Sequence, residues 1–193
     1  MAPPPPSAQT ARPRIGTIVP GYAVPVINER AVRAAAGILF LLGGAAFATA
    51  FFTESMQPLQ PFGMFFMLDM MLRVVAGDRW SPTLVLGRLV VSRQRPEWVG
   101  ASQKEFAWWL GFALAAVSCA SMGLFAAPLW VTLALCSVCL ILLFLETAFG
   151  ICVGCVLQKR FGKQPPMYCP GGTCDFHAED PVVTAGNTSR QHS

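Results

Sequence analysis

The sequence predicts an all-α integral membrane protein: four transmembrane helices, a short interfacial amphipathic helix, and disordered N- and C-terminal tails. Three observations predict it. The 193 residues are 54% apolar and only 12% charged, with a mean hydropathy of +0.51, whereas soluble domains carry roughly 25% charged residues. Long apolar runs recur between short polar breaks, and runs of that length suit a hydrocarbon core. The 14 Lys and Arg crowd into alternate inter-helix segments, as the positive-inside rule requires of a multi-pass chain.

Residues 1–27 are rich in proline, with scattered Arg12 and Arg14. Such a segment buries too little apolar surface to fold by itself, which predicts a mobile cytoplasmic tail. Asn28 offers an N-cap and Glu29 a first-turn acid to helix one, about 31–53. Arg30 and Arg33 stand at its entrance, where long basic side chains reach headgroups. A turn with Glu54, Pro58 and Pro61 leads into helix two, about 60–76, which is short for a span and carries Asp69 and Arg73. Those two are four apart with the acid first, the favourable order for a pair on one helix.

Ser81-Pro82 is a good helix start, a cap followed by proline in the first turn. Over 82–95, Leu86, Leu89 and Val90 fall on one side, with Arg88, Ser92 and Arg95 on the other. A basic amphipathic helix of this kind lies in the membrane interface. Helix three, about 104–125, opens near Trp108 and Trp109, at headgroup level. Helix four, about 128–157, opens at Pro128 and stays apolar but for Glu146 until Lys159, Arg160 and Lys163 end it. The membrane domain is therefore expected over 28–158, and 159–193 is a polar, cysteine-containing tail.

Charge sets the topology. The segment before helix one, the segment 77–104 and the stretch after helix four hold nearly all the bases, while the other two turns hold Glu54 and none. Both termini are thus expected in the cytoplasm. The lipid bilayer is the expected partner. The net charge of +4 is modest, and no nucleic-acid partner is expected.

The candidate chemistry lies at the cytoplasmic end. Cys152 and Cys155 form a C-x-x-C, and Cys169 and Cys174 follow in the tail with His177 nearby. In a reducing compartment these would be thiols, metal ligands or transient disulfides. Lys159 and Arg160 would favour thiolate at the first pair. The second pair is C-x4-C, outside the usual zinc spacing, and no stoichiometric zinc or iron is expected. Cys119, Cys136 and Cys139 sit within apolar runs and read as packing residues.

Glu146 is an ionisable group inside an apolar span, which by default marks a functional site. Its expected partner is Arg33 or Arg73, and together with Asp69 these make a polar membrane cluster beside the cysteine pair. On a straight helix Glu146 and Cys155 lie half a turn apart, so direct acid–base work between them is not expected. No phosphate loop, nucleophile elbow, HExxH or Rossmann fingerprint appears, and no cofactor is expected.

The segments VINERAVRAAAG (26–37), LDMMLRVVAGDRWSP (68–82), QKEFAWWLGF (103–112) and ETAFGICVGC (146–155) together resemble the bacterial membrane family known as domain of unknown function 4395. The resemblance spans about 26–157. It implies a compact four-helix membrane domain ending in the G-x-C-x-G-C segment matched by 150–155, and it brings no assigned activity. It also implies a neighbourhood of thioredoxin-like or sulfurtransferase proteins, which leans toward thiol or sulfur handling. Glu105 stands where the family more often has arginine, and the proline-rich head and second cysteine pair lie outside the resemblance.

Two functions remain open. One is thiol or sulfur redox at the cytoplasmic membrane face through Cys152 and Cys155. The other is a non-enzymatic assembly or accessory subunit, packing on another membrane subunit through Gly150-x3-Gly154 and the amphipathic helix. Transport past Asp69 and Glu146 is a weaker third, since four helices are few for a carrier.

Overall fold

The computed structural model describes residues 15–20, 24–125, 127–151, 153 and 157. Five α-helices form the body: α1 (Glu29–Thr53), α2 (Leu59–Val75), α3 (Pro82–Val90), α4 (Ala101–Gly123) and α5 (Leu129–Phe144), the last continued by a π-helical turn over Leu145–Phe149. Two three-residue strands, β1 (Val26–Asn28) and β2 (Trp98–Gly100), pair antiparallel with Val26 opposite Gly100 and Asn28 opposite Trp98. Three helical segments, Glu29–Thr53, Lys104–Gly123 and Leu129–Phe149, are long and apolar enough to cross a membrane. At 17 residues, α2 reaches about 26 Å, just under a typical hydrocarbon thickness.

The start of α1 is built as the sequence suggests. Asn28 stays extended and its side-chain oxygen accepts from the Arg30 amide at 3.1 Å. The same oxygen accepts from the Glu97 amide at 3.2 Å, so the cap also holds the segment leading into β2. Ser81 caps α3 by accepting from the Leu84 amide at 3.2 Å, with Pro82 in the first turn.

The expectation of a mobile tail up to residue 27 needs correction. Ile15 is buried in the core, and Thr17 and Val26 exchange two backbone hydrogen bonds of 2.8 and 2.9 Å. The reason is local: Ile15, Val26 and Ile27 have apolar surface to bury, and β2 supplies a ladder for the backbone. Gly16 makes this possible. At its φ of +81° a Cβ would lie 2.8 Å from the Val26 carbonyl oxygen and 2.9 Å from the Ala101 Cβ.

The helices pack around α1, which meets α2, α3, α5 and the π turn, while α4 bridges α2 and α5. The closest approach is between α1 and α3. A Cβ on Gly87 would overlap the Ala31 carbonyl oxygen and lie 3.0 Å from the Ala35 amide nitrogen. α3 buries Thr83, Leu84 and Gly87 there. Its outer face shows Leu86, Leu89 and Val90 to the surroundings, with Trp80 exposed just before it. The helix ends at Val90 rather than near residue 95, because residues 91–94 tighten into turns.

Elsewhere large apolar side chains such as Leu41, Phe52, Leu124, Trp130 and Ile141 face outward. An apolar exterior on this scale is what lipid-facing helices present. The interior is the unusual part: Glu29, Asp69, Arg73 and Lys104 are all buried.

The final helix departs from the single rod expected over 128–157. Its hydrogen bonding widens to the π pattern at Leu145, and Gly150 then leaves the helix with φ +66°. The Gly150 amide bonds back to the Glu146 carbonyl at 3.1 Å, and the Ile151 amide to the Leu145 carbonyl at 3.2 Å. Apolar patterning carries no trace of such a break, because the run stays apolar on both sides of it.

Candidate functional site

The β ribbon sets the geometry of the site. Pairing β1 with β2 ties the first turns of α1 and α4 together, with the Glu29 amide donating to the Glu97 carbonyl and the Ala101 amide to the Pro25 carbonyl. Glu29 follows β1 directly, and Lys104 sits in the first turn of α4. Lys104 Nζ donates to Glu29 Oε1 at 3.0 Å and lies 2.7 Å from Oε2. It also donates to Glu146 Oε1, on the π turn, at 2.9 Å. The side chains of Glu29 and Lys104 are each 1% exposed and that of Glu146 18%. A lysine is thus held between two carboxylates from two other elements.

A second network lies beside it at the end of α2. Arg73 Nε donates to Asp69 Oδ2 at 2.9 Å, and an Nη lies 2.8 Å from the same oxygen. The same guanidinium donates to Ser81 Oγ at 3.2 Å and to Thr83 Oγ1 at 2.6 Å. Both hydroxyls in turn donate hydrogen bonds to Asp69, Ser81 to Oδ1 and Thr83 to Oδ2, each at 2.7 Å. The Thr83 amide completes the shell at 3.2 Å. Every strong acceptor site on Asp69 is engaged, which is the condition under which a buried ion pair is tolerated. The network also fixes α3 to α2 through the Ser81-Pro82-Thr83 start.

Trp108 on α4 lies against the second network and shares a cavity with Glu146 of the first. The Arg73 guanidinium carbon lies 5.4 Å from the centre of the Trp108 ring, a cation–π contact. Trp108 is buried, and its Nε1–H has no hydrogen-bond partner among the described residues. A cavity of about 70 Å³ is lined by Arg73, Trp108, Glu146, Met70, Ile151 and Val153, among others.

The sequence-predicted cluster is therefore divided. Asp69 and Arg73 pair as their spacing suggests. Glu146 is not bonded to Arg33 or Arg73; its partner is Lys104. Arg33 instead donates to the Thr147 carbonyl at 3.0 and 3.4 Å and to the Ala148 carbonyl at 3.3 Å. The π turn and the departure of the chain at Gly150 leave those carbonyls needing donors, and Arg33, one turn beyond Glu29, reaches them. Gly150 sits directly against this guanidinium, with 3.4 Å from a Cβ position to an Nη.

Glu29, Ser81, Thr83, Lys104 and Trp108 join the site without having been singled out for it. The sequence shows Glu29 as a first-turn acid, Ser81 as a cap, and Lys104 and Trp108 as marks of a membrane boundary. Cys119, Cys136 and Cys139 are half-buried free thiols on α4 and α5. Cys152, Cys155, Cys169 and Cys174, together with His177, lie outside the described residues.

No curated protein and no solved structure matches this chain. A family model does match, over residues 27–163, and that interval contains both buried networks and the cavity between them. The chain belongs to the family described as a domain of unknown function, DUF4395.

Proposed function

We propose that the chain is a four-pass protein of the bacterial inner membrane, with both termini cytoplasmic, that handles thiol or sulfur redox at the cytoplasmic face. Cys152 and Cys155 are the working pair. One observation carries the reading. Ile151 and Val153, the chain neighbours of Cys152, line the cavity that also holds Arg73, Trp108 and Glu146. Basic groups near a thiol favour the thiolate, and Lys159 and Arg160 follow the pair in the chain. Oxidation of the pair to a disulfide would pass two electrons and two protons to the disulfide of a thioredoxin-like partner, or to a sulfurtransferase carrying an oxidised cysteine. α3 fits an interfacial position, since its outer face is Leu86, Leu89 and Val90 with Trp80 beside them.

The assembly-subunit reading has less to stand on. Of the glycines offered as its packing face, Gly150 is turned toward Arg33 of its own chain. The inner face of α3 is taken up by α1.

Thiol trapping in intact cells is the test. Cys152 and Cys155 should label when reduced, lose labelling together under oxidative stress, and lose function on replacement by serine. If neither cysteine labels or oxidises and both tolerate serine, the redox reading is wrong.

A further inference from the structure

A second, larger opening is not used by the cysteine reading. Between the first turns of α1 and the turns that follow α3, an open cavity of about 350 Å³ is lined by Arg30, Arg33, Val91, Gln94 and Glu97. That is within the range of small-ligand sites, about 300–1,000 Å³. Arg30 and Arg33 are three apart in α1 and so share a face. Arg30 donates to Gln94 Oε1 at 3.2 Å and stands 3.8 Å from a Glu97 oxygen, the two charged side chains being 45% and 41% exposed. An ion pair that long and that exposed contributes little, and it yields readily to a better partner. Arg33 spends Nε and Nη2 on the Thr147 and Ala148 carbonyls, and its Nη1 makes no hydrogen bond among the described residues.

Charge and position say what fits. Arg33, one turn from Glu29, keeps its charge while bonded to neutral carbonyls and helps to balance the buried carboxylates, which leaves Arg30 and Glu97 as the cavity's own near-neutral pair. A headgroup carrying only negative charge would meet Glu97, and one carrying only positive charge would meet two guanidiniums. A headgroup with both signs matches, its phosphate between Arg30 and Arg33 Nη1 and its ammonium toward the Glu97 carboxylate and Gln94 Oε1. Both arginines stand at the start of Glu29–Thr53, a segment long and apolar enough to cross a membrane, so the cavity opens at headgroup level. Leu86, Leu89 and Val90 are exposed on α3, and Val91, next in the chain, lines the cavity. Acyl chains can therefore lie along α3 while the headgroup enters beside it.

We propose that this cavity binds the headgroup of an aminophospholipid, a lipid bearing a phosphate and a primary ammonium. Arg30 and Arg33 hold the phosphate, and Glu97 and Gln94 hold the ammonium. The site goes beyond the redox reading. It needs neither the cysteines nor a particular side for the termini, so it should persist unchanged in a Cys152→Ser/Cys155→Ser variant.

Native mass spectrometry of the full chain, titrated with dioleoyl phosphatidylethanolamine, phosphatidylglycerol or phosphatidylcholine, tests it. Phosphatidylglycerol has the phosphate and no cation, and the quaternary ammonium of phosphatidylcholine has no proton to donate. The expected result is that phosphatidylethanolamine fills the first site about fivefold more tightly than either of the others. Glu97→Gln should erase that preference, and Arg30→Gln should weaken all three lipids about tenfold. The proposal is overturned if the unmutated protein does not prefer phosphatidylethanolamine, if the preference survives Glu97→Gln, or if Arg30→Gln leaves the affinities unchanged. It is overturned too if glycerophosphoethanolamine, the same headgroup without chains, displaces the lipid at equal concentration, which is the mark of a soluble ligand. The first and last outcomes need no variant, so a misfolded mutant cannot hide them.

Discussion

A lysine lodged between two glutamates cannot be removed alone without leaving like charges facing each other. Lys104→Met keeps most of the side-chain volume but leaves the buried Glu29 and the partly buried Glu146 with no ammonium between them. Breaking a buried pair by removing one partner costs about 3–5 kcal/mol, and we expect a loss of that size in unfolding of the detergent-solubilised protein. Adding Glu29→Gln to it should restore part of the loss. Single residues were unevenly legible. Asp69 and Arg73 declare each other because they are four apart on one helix. Glu146 announces itself as a costly charge, but its partner is 42 positions away on another helix. Sequence spacing carries no information across that distance. Arg33 and Arg73, the partners expected for it, are held by the π-turn carbonyls and by Asp69.

At the scale of elements, two glycines make opposite predictions. Gly150 has φ +66° and faces Arg33 at 3.4 Å, so Gly150→Ala is strained by about 1–2 kcal/mol. Gly44 lies inside α1 with nothing within 4 Å of a Cβ position, so Gly44→Ala should be neutral or stabilise by about 0.5–1 kcal/mol. Thermal unfolding of the two variants side by side checks the contrast. Gly87→Leu should prise α3 off α1, because even a Cβ overlaps Ala31. Limited proteolysis within residues 77–97 is the readout, expected to rise sharply over the unmutated protein. The helices themselves were legible because apolar length, an Asn28 cap and a Ser-Pro start are local signals. The ribbon was not, since two three-residue strands 72 positions apart have no local signature beyond a few apolar residues. The π turn was hidden because an apolar run interrupted by Glu146 alone does not say how its backbone hydrogen bonds are spaced.

At the scale of the whole molecule, the number of crossings turns on α2. Three helical segments have the length and hydropathy to span, and three crossings alone would put the termini on opposite sides. The buried networks argue for a fourth. Glu29 stands at the start of α1, Lys104 near the start of α4, and Glu146 just past the end of α5, and all three meet. Arg73, near the end of α2, shares the cavity with Glu146. The end of α2 therefore lies level with the start of α1, which is what the four-pass proposal requires of it. On that proposal its 17 residues would fall a few ångströms short of the hydrocarbon, a mismatch that local thinning of the bilayer would absorb at modest cost. Placing its polar end at the basic face agrees with the crowd of Arg79, Arg88, Arg93 and Arg95 that follows. Reporter fusions after Glu54, Arg95 and Ser193 decide the matter. The expected pattern is periplasmic, cytoplasmic, cytoplasmic. A periplasmic signal at Arg95 would mean that α2 does not cross, and a periplasmic Ser193 would move the cysteine tail into an oxidising compartment and end the proposal of a cytoplasmic thiol site.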